Sequence, residues 1–182
     1  HIDSFIKKHI TFRDKSMFLD DLVTNESYLN KEIAGKSLLV IGGAGTIGSS
    51  FIKAALQYRP GRLFVIDINE NGLTELTRDL RSDITLEVPE EYKTYPINFD
   101  DEILNNYSLK EIYYAFLEHR KIDYLFVDEI QHCKEWTSFI RKLYDTRKIK
   151  QIYITGSNSS LIKQEYAQLL TGRTITIRVP PL

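Results

Sequence analysis

An apolar run at residues 38 to 41 passes directly into Gly42, Gly43, Ala44 and Gly45, and then into a helical pattern through Thr46, Ile47 and Gly48. Few folds accommodate that succession. Three glycines at G-x-x-G-x-x-G spacing let the backbone take positive φ in a tight turn, and let a phosphate approach the main chain at the open N–H groups of the following helix. A strand, a glycine turn and a helix in that order predict a parallel α/β sheet with an anion-binding turn at the carboxyl end of its first strand.

The rest of the chain agrees with that frame. Strand-like runs at 37–42, 62–67, 93–99, 123–128, 151–155 and 173–179 alternate with segments of helical periodicity. Most of the runs are continuously apolar, as strands covered on both faces are. Ile47, Phe51, Ile52, Ala55 and Leu56 form one helical stripe, stopped by Pro60 and Gly61; Leu73, Leu76 and Leu80 form a second. Ser108 and Glu111 have capping-box spacing ahead of a third, which carries Tyr113 and Phe116. Trp136, Phe139, Ile140, Leu143 and Tyr144 mark a fourth, and Leu161, Ile162, Leu169 and Leu170 a fifth. The aromatic residues on these stripes read as core. Residues 1–35 read as a helical N-terminal extension of two or three short helices, and residues 36–182 as a single domain. The expected fold is α/β: a three-layer, Rossmann-like, doubly wound parallel sheet of five to six strands.

With 24 basic and 25 acidic residues the net charge is −1, which gives no reason to expect nucleic acid or an anionic membrane as partner. The one cysteine, Cys133, has no internal disulfide partner, and no apolar run reaches the roughly 18 residues of a membrane span. The N-terminal segment lacks the apolar stretch of a secretory signal, so a cytoplasmic setting is expected. His132 and Cys133 lack a second pair at zinc spacing, so no structural zinc site is expected, and the basic residues Arg141, Lys142, Arg147, Lys148 and Lys150, with acids close by, read as a solvated face.

Two chemistries compete for the glycine turn. Asp67 ends the second run about 20 residues beyond the turn, where a dinucleotide fold places an acceptor for the adenosine ribose. That favours NAD(H). Counted from Gly43 instead, the same residues fit G-x-x-x-x-G-K-[ST], except that Ser49 stands at the lysine position. An ATP site built on this turn would lack the ammonium group that holds the β- and γ-phosphates. In a strand order 3-2-1-4-5-6 the fourth strand neighbours the first, which brings Asp128 and Glu129 beside the turn, a place compatible with Mg²⁺.

The quoted stretches also carry two family resemblances. GKSLLVIGGAGTIGSSFIKAAL, LFVIDINENGLTELTRDLRS and YKTYPINF make residues 1 to about 98 resemble the extended short-chain dehydrogenase/reductase family, of the nucleotide-sugar dehydratase and epimerase type. That resemblance implies NAD or NADP as cofactor, held by Gly42, Gly43, Ala44, Gly45, Thr46, Ile47, Gly48 and Asp67, with Asn98 near the adenine. DYLFVDEIQHCKEWTSFIRKLYD, IYITGSNSSLI and LLTGRTITIRVPPL make the chain from about residue 95 resemble prokaryotic AAA-type P-loop ATPases. This second resemblance implies Asp128 and Glu129 as the Walker B pair, with Asp128 toward Mg²⁺ and Glu129 toward the attacking water. It implies Ser157 and Asn158 as sensor-one residues.

Together they imply a chimera joined near the INF string at 97–99. The first expectation is therefore a nucleotide-binding domain taking NAD(H) without complete catalytic machinery. The alternatives are an ATP/Mg module using Ser50, Asp128 and Glu129, and a ligand-free chimeric scaffold. Tyr144 and Lys148 have the Tyr-x-x-x-Lys spacing of dehydrogenases, but lie in the ATPase-like helix with Tyr144 on its buried stripe. No catalytic residue is assigned.

Overall fold

The computed structural model describes residues 19–96, 110, 111, 113, 114, 120–130, 136–156, 172–175 and 177. In chain order its elements are α1 (Leu19–Ile33), β1 (Ser37–Ile41), α2 (Thr46–Leu56), β2 (Arg62–Asp67), α3 (Glu70–Ser82), β3 (Glu91–Pro96), β4 (Tyr124–Val127), α4 (Trp136–Thr146) and β5 (Gln151–Ile154). The strands form one sheet in the order β3-β2-β1-β4-β5, with every neighbouring pair parallel. This is the doubly wound α/β architecture expected from the alternation of runs.

Side chains alternate across the sheet with period two, and each face has its own core. Leu39, Ile41, Phe64, Ile66, Leu125 and Val127 pack with Trp136, Phe139, Ile140 and Leu143 of α4 and with Tyr113. Leu38, Val40, Leu63, Val65, Tyr124 and Phe126 pack with Ile52, Ala55 and Leu56 of α2 and with Leu73, Leu76 and Leu80 of α3. The register sets Leu39 between Phe64 and Leu125, all fully buried, so the centre of the sheet is dry on this face. α3 starts where Asn69 caps it, the side chain accepting from the Gly72 N–H at 2.9 Å.

Several expectations are corrected at the rims. Ile47 is 50% exposed although its spacing placed it on the buried stripe of α2, because the first turn of that helix begins beyond the end of β1, where no sheet lies beneath it. Tyr144, expected on the buried stripe of α4, is also 50% exposed. The third strand starts at Glu91, two residues before the expected run, whose residues 97–99 lie outside the described residues. β5 alternates exposed and half-buried residues, as an edge strand does. Residues 172–175 and 177 are not in a strand, and Ile175 and Ile177 are exposed, so the sheet has five strands among the described residues. The expected fifth helix lies outside them, as does Ser108 of the capping box.

Of the extension, residues 19–35 are described and hold one helix, α1; the rest of the expected short helices lie outside the described residues. α1 ends at Ile33, and Gly35, two residues on, has a left-handed φ of +69°. Its last turn is tied to the sheet: the Tyr124 hydroxyl donates to the Glu32 carbonyl oxygen at 2.9 Å, and Glu32 pairs with Lys150. No helix among the described residues is long and apolar enough to cross a membrane.

Two measurements test this packing. Leu39→Ala removes a fully buried side chain from the central strand and is expected to cost about 2–5 kcal/mol in chemical denaturation. The hydrogen bond from Lys150 lowers the Glu32 carboxyl below its ordinary value. The stabilisation from that pairing is thus complete above the unfolded value of about 4.3 and is lost as pH falls through the lower folded value. In an NMR titration the Glu32 midpoint should rise when Lys150 is replaced by Ala.

Candidate functional site

The turn between β1 and α2 is only Gly42 to Gly45 long. Gly42 has φ +82°, and a Cβ there would stand 2.8 Å from the Asp128 Cβ. At Gly48 a Cβ would meet the Gly42 carbonyl oxygen at 2.2 Å, so the first turn of α2 lies directly against the loop that feeds it. Both positions exclude any larger residue, the first by backbone conformation and the second by contact. Gly45 is the N-cap of α2 and makes no side-chain cap bond; the first turn carries no acid, and Thr46 and Ile47 are exposed. The positive end of the helix therefore opens above the carboxyl edge of the sheet, where an anion is favoured.

A carboxylate stands on each side of this turn. From β2, Asp67 Oδ2 accepts the Ala44 N–H at 2.8 Å and Oδ1 accepts the Asn69 N–H at 2.9 Å. Asp67 therefore holds the turn in shape, a role that its position at a strand end did not reveal. Each of its oxygens keeps a lone pair for a further donor.

From β4, the Asp128 N–H donates to the Ile41 carbonyl at 2.9 Å and carries the carboxylate to the loop. Its Oδ1 accepts from the Thr155 hydroxyl and, at 3.2 Å, from the Glu129 N–H. Oδ2 faces Gly45, 3.2 Å from the point that a Cβ there would occupy. Glu129 follows with φ +49°, a left-handed conformation that costs a non-glycine residue about 1–2 kcal/mol.

The structure thus brings Gly42, Gly43, Ala44, Gly45, Thr46, Ile47, Gly48, Asp67, Asp128 and Glu129 to one end of the sheet. Asn98, Ser157, Asn158, His132 and Cys133 lie outside the described residues. Ser49 and Ser50 both lie within α2 and donate their hydroxyls to the Thr46 carbonyl at 3.2 and 2.7 Å, so the count that matched a P-loop runs through a helix. Tyr144 is exposed but sits at the wrong end of the sheet. The Lys150 N–H bonds Asp123 ahead of β4, and the Lys148 ammonium lies over the Tyr114 ring at 5.9 Å. Sequence reading missed Thr155. The signal was available in the strand pairing, because Val127 is level with Ile154 and the next residues are Asp128 and Thr155.

No group of three or more His, Cys, Asp or Glu suited to a metal occurs among the described residues. The chemistry of a single carboxylate oxygen, Asp128 Oδ2, nonetheless suits Mg²⁺, which takes one or two carboxylates and fills its remaining positions with phosphate oxygens and water. The turn itself is testable by substitution. Gly48→Ala should lower stability by about 1–3 kcal/mol in urea unfolding, because either the loop or the helix must move. Gly45→Ala, whose nearest contact would be 3.2 Å, should cost less.

Comparison with known proteins adds to this geometry. An uncharacterised protein of Methanocaldococcus jannaschii is 39% identical over 89 residues, covering 47% of this chain and 20% of its own length. The chain thus spans about a fifth of that relative. A reductase/Diels-Alderase from Malbranchea aurantiaca superposes with a TM-score of 0.53 at 13% identity, over 80% of this chain and 66% of that one. A protein assigned as a SAM-dependent methyltransferase from Streptococcus mutans gives 0.51 at 14% identity, over 87% and 41%. These two share the fold alone. The family described as AAA domain matches residues 72–182, from within α3 to the last residue of the sequence. That match takes in β4, Asp128, Glu129 and Thr155 and exceeds half of the sequence: the chain belongs to the AAA domain family.

Proposed function

We propose that this domain binds ADP or ATP with the diphosphate on the glycine turn, and with a divalent cation between the phosphates and Asp128. The observation that carries this reading is the outward Oδ2 of Asp128, set against Gly45 at the open end of α2. Family membership supports a nucleoside triphosphate as the natural ligand. In this reading the backbone from Gly42 to Gly48 cradles the phosphates, Asp67 keeps the turn formed, and Asp128 and Glu129 face the cation. When bound, Mg²⁺ would neutralise charge on the phosphates. Without it, carboxylates on both sides of the turn oppose a diphosphate.

Binding is expected to exceed turnover. Ser49 supplies no ammonium group, its hydroxyl is engaged within α2, and the turn is four residues long. Glu129 stands next to Asp128, where the ATPase resemblance would set it toward the attacking water.

NAD(H) is the second reading, and a specific observation favours it. Asp67 stands at the end of β2 with a fixed carboxylate, beside a short turn in the strand order of a dinucleotide-binding sheet. The AAA match begins at residue 72, so the turn and Asp67 lie ahead of it. Residues 72 to about 98, read from the sequence as dehydrogenase-like, fall inside that match, so the join expected near 97–99 gains no support from it.

Calorimetric titration with ATP, ADP and NAD⁺, each with and without Mg²⁺, separates the readings. The first expects ADP and ATP to bind more tightly with Mg²⁺, and Asp128→Asn to remove about tenfold of that affinity, the scale of one charged hydrogen bond. Saturable NAD⁺ binding that is indifferent to Mg²⁺ and weakened by Asp67→Asn, with no ATP binding, would replace it with the second. No heat from any titration would sink both.

A further inference from the structure

Thr155 has no assigned role, yet both its backbone and its side chain are hydrogen-bonded at this end of the sheet. Its N–H donates to the Val127 carbonyl at 3.0 Å and its carbonyl accepts the Ile130 N–H at 3.0 Å, so the backbone is fixed on both sides. The side chain then points across to β4. Its hydroxyl donates to Asp128 Oδ1, and its oxygen accepts the Glu129 N–H at 3.3 Å. The same N–H is shared with Asp128 Oδ1 at 3.2 Å, which closes a small ring of three polar groups.

The consequence lies in the torsion of the carboxylate. The terminal torsion of an aspartate is broad and roughly two-fold, so an untethered Asp128 would rotate freely beside the turn. With Oδ1 held by two donors, the plane is set and Oδ2 is the oxygen presented toward Gly45. Mg²⁺ demands near-ideal octahedral geometry, so a ligand oxygen with a fixed direction matters more to it than to a softer cation site.

We propose that Thr155 is a positioning residue, whose hydroxyl orients Asp128 for a divalent cation held together with the nucleotide diphosphate. This rests on the nucleotide reading above. It predicts that the hydroxyl contributes only when cation and nucleotide are present together. A residue that merely stabilised the strand end would contribute in every condition.

The test measures ADP affinity of the full chain with Mg²⁺ and with chelator, in wild type, Thr155→Val, Thr155→Ser and Asp128→Asn. Mn²⁺ bound in the presence of ADP, followed by electron paramagnetic resonance, is the second readout. Thr155→Val should lose about tenfold of the Mg²⁺-dependent gain and leave chelator-condition affinity unchanged. Thr155→Ser, which keeps the hydroxyl, should retain the gain. Adding Thr155→Val to Asp128→Asn should cost nothing further. If Thr155→Val melts early, Thr155→Ala removes the same hydroxyl without setting a methyl against the carboxylate, and carries the same comparison. Full retention of the Mg²⁺ gain without the hydroxyl, or an equal loss in chelator, overturns the role of Thr155 alone. A wild-type chain that binds no ADP in either condition overturns the nucleotide reading, and this proposal with it.

Discussion

The geometry at the carboxyl end of the sheet depends on β1 being clamped between two parallel partners. The ladder continues one residue past the strand on each side: the Gly42 N–H donates to Ile66 at 2.8 Å and the Asp128 N–H donates to Ile41 at 2.9 Å. The glycine turn therefore leaves the sheet from a fixed point between two strand ends, and each of those ends carries an aspartate. Had the acid-bearing strand lain elsewhere in the order, Asp128 would not reach Gly42. The buried ladder of Leu39, Phe64 and Leu125 below holds this register, because a slip of one residue would turn the apolar set of each strand to the wrong face.

The two aspartates do different work although they look equivalent in the sequence. Asp67 uses both oxygens on backbone N–H groups of its own neighbourhood, and so stiffens the turn before any ligand arrives. Asp128 uses one oxygen on Thr155 and Glu129 and turns the other to the turn. The first pre-forms a cradle for an anion, although its charge, like that of the second, opposes the anion unless a cation intervenes. At an effective dielectric of about 20, unit charges 4 Å apart interact by about 4 kcal/mol. This is enough to decide whether a diphosphate is accepted, and a divalent ion reverses its sign.

Strand positions, the glycine turn and the acids at strand ends were legible because each follows from a local pattern: continuous apolar runs, φ-permissive glycines, and polarity where a run stops. Strand order was legible only as an expectation, since it depends on pairing between distant segments. What stayed hidden depends on what lies beneath or beside a residue. Helical spacing alone could not show that Ile47 and Tyr144 sit half-exposed at the rims. Nor could it show that Asp67 would turn back on Ala44, or that Thr155 would meet Asp128. The 173–179 run has good strand composition, yet its described residues lie in no strand; composition states what a segment tolerates, and a strand requires an edge in the right place.

The length of the turn limits what chemistry any nucleotide could undergo here. In α2 the helix is already running at Thr46, and Gly48 is pressed onto the Gly42 carbonyl, so position 49 lies in the interior of the helix. A lysine introduced there would start about one helical turn, 5.4 Å, from the open end and would have to reach back along the helix to a phosphate. Restoring the missing ammonium would thus not restore a phosphate-wrapping loop, because the loop's length is set by the contact between Gly48 and Gly42. In the nucleotide reading proposed above, the helix end and a cation beside Asp128 would supply positive charge to a phosphate, and the orientation of that carboxylate would then govern the cation's place.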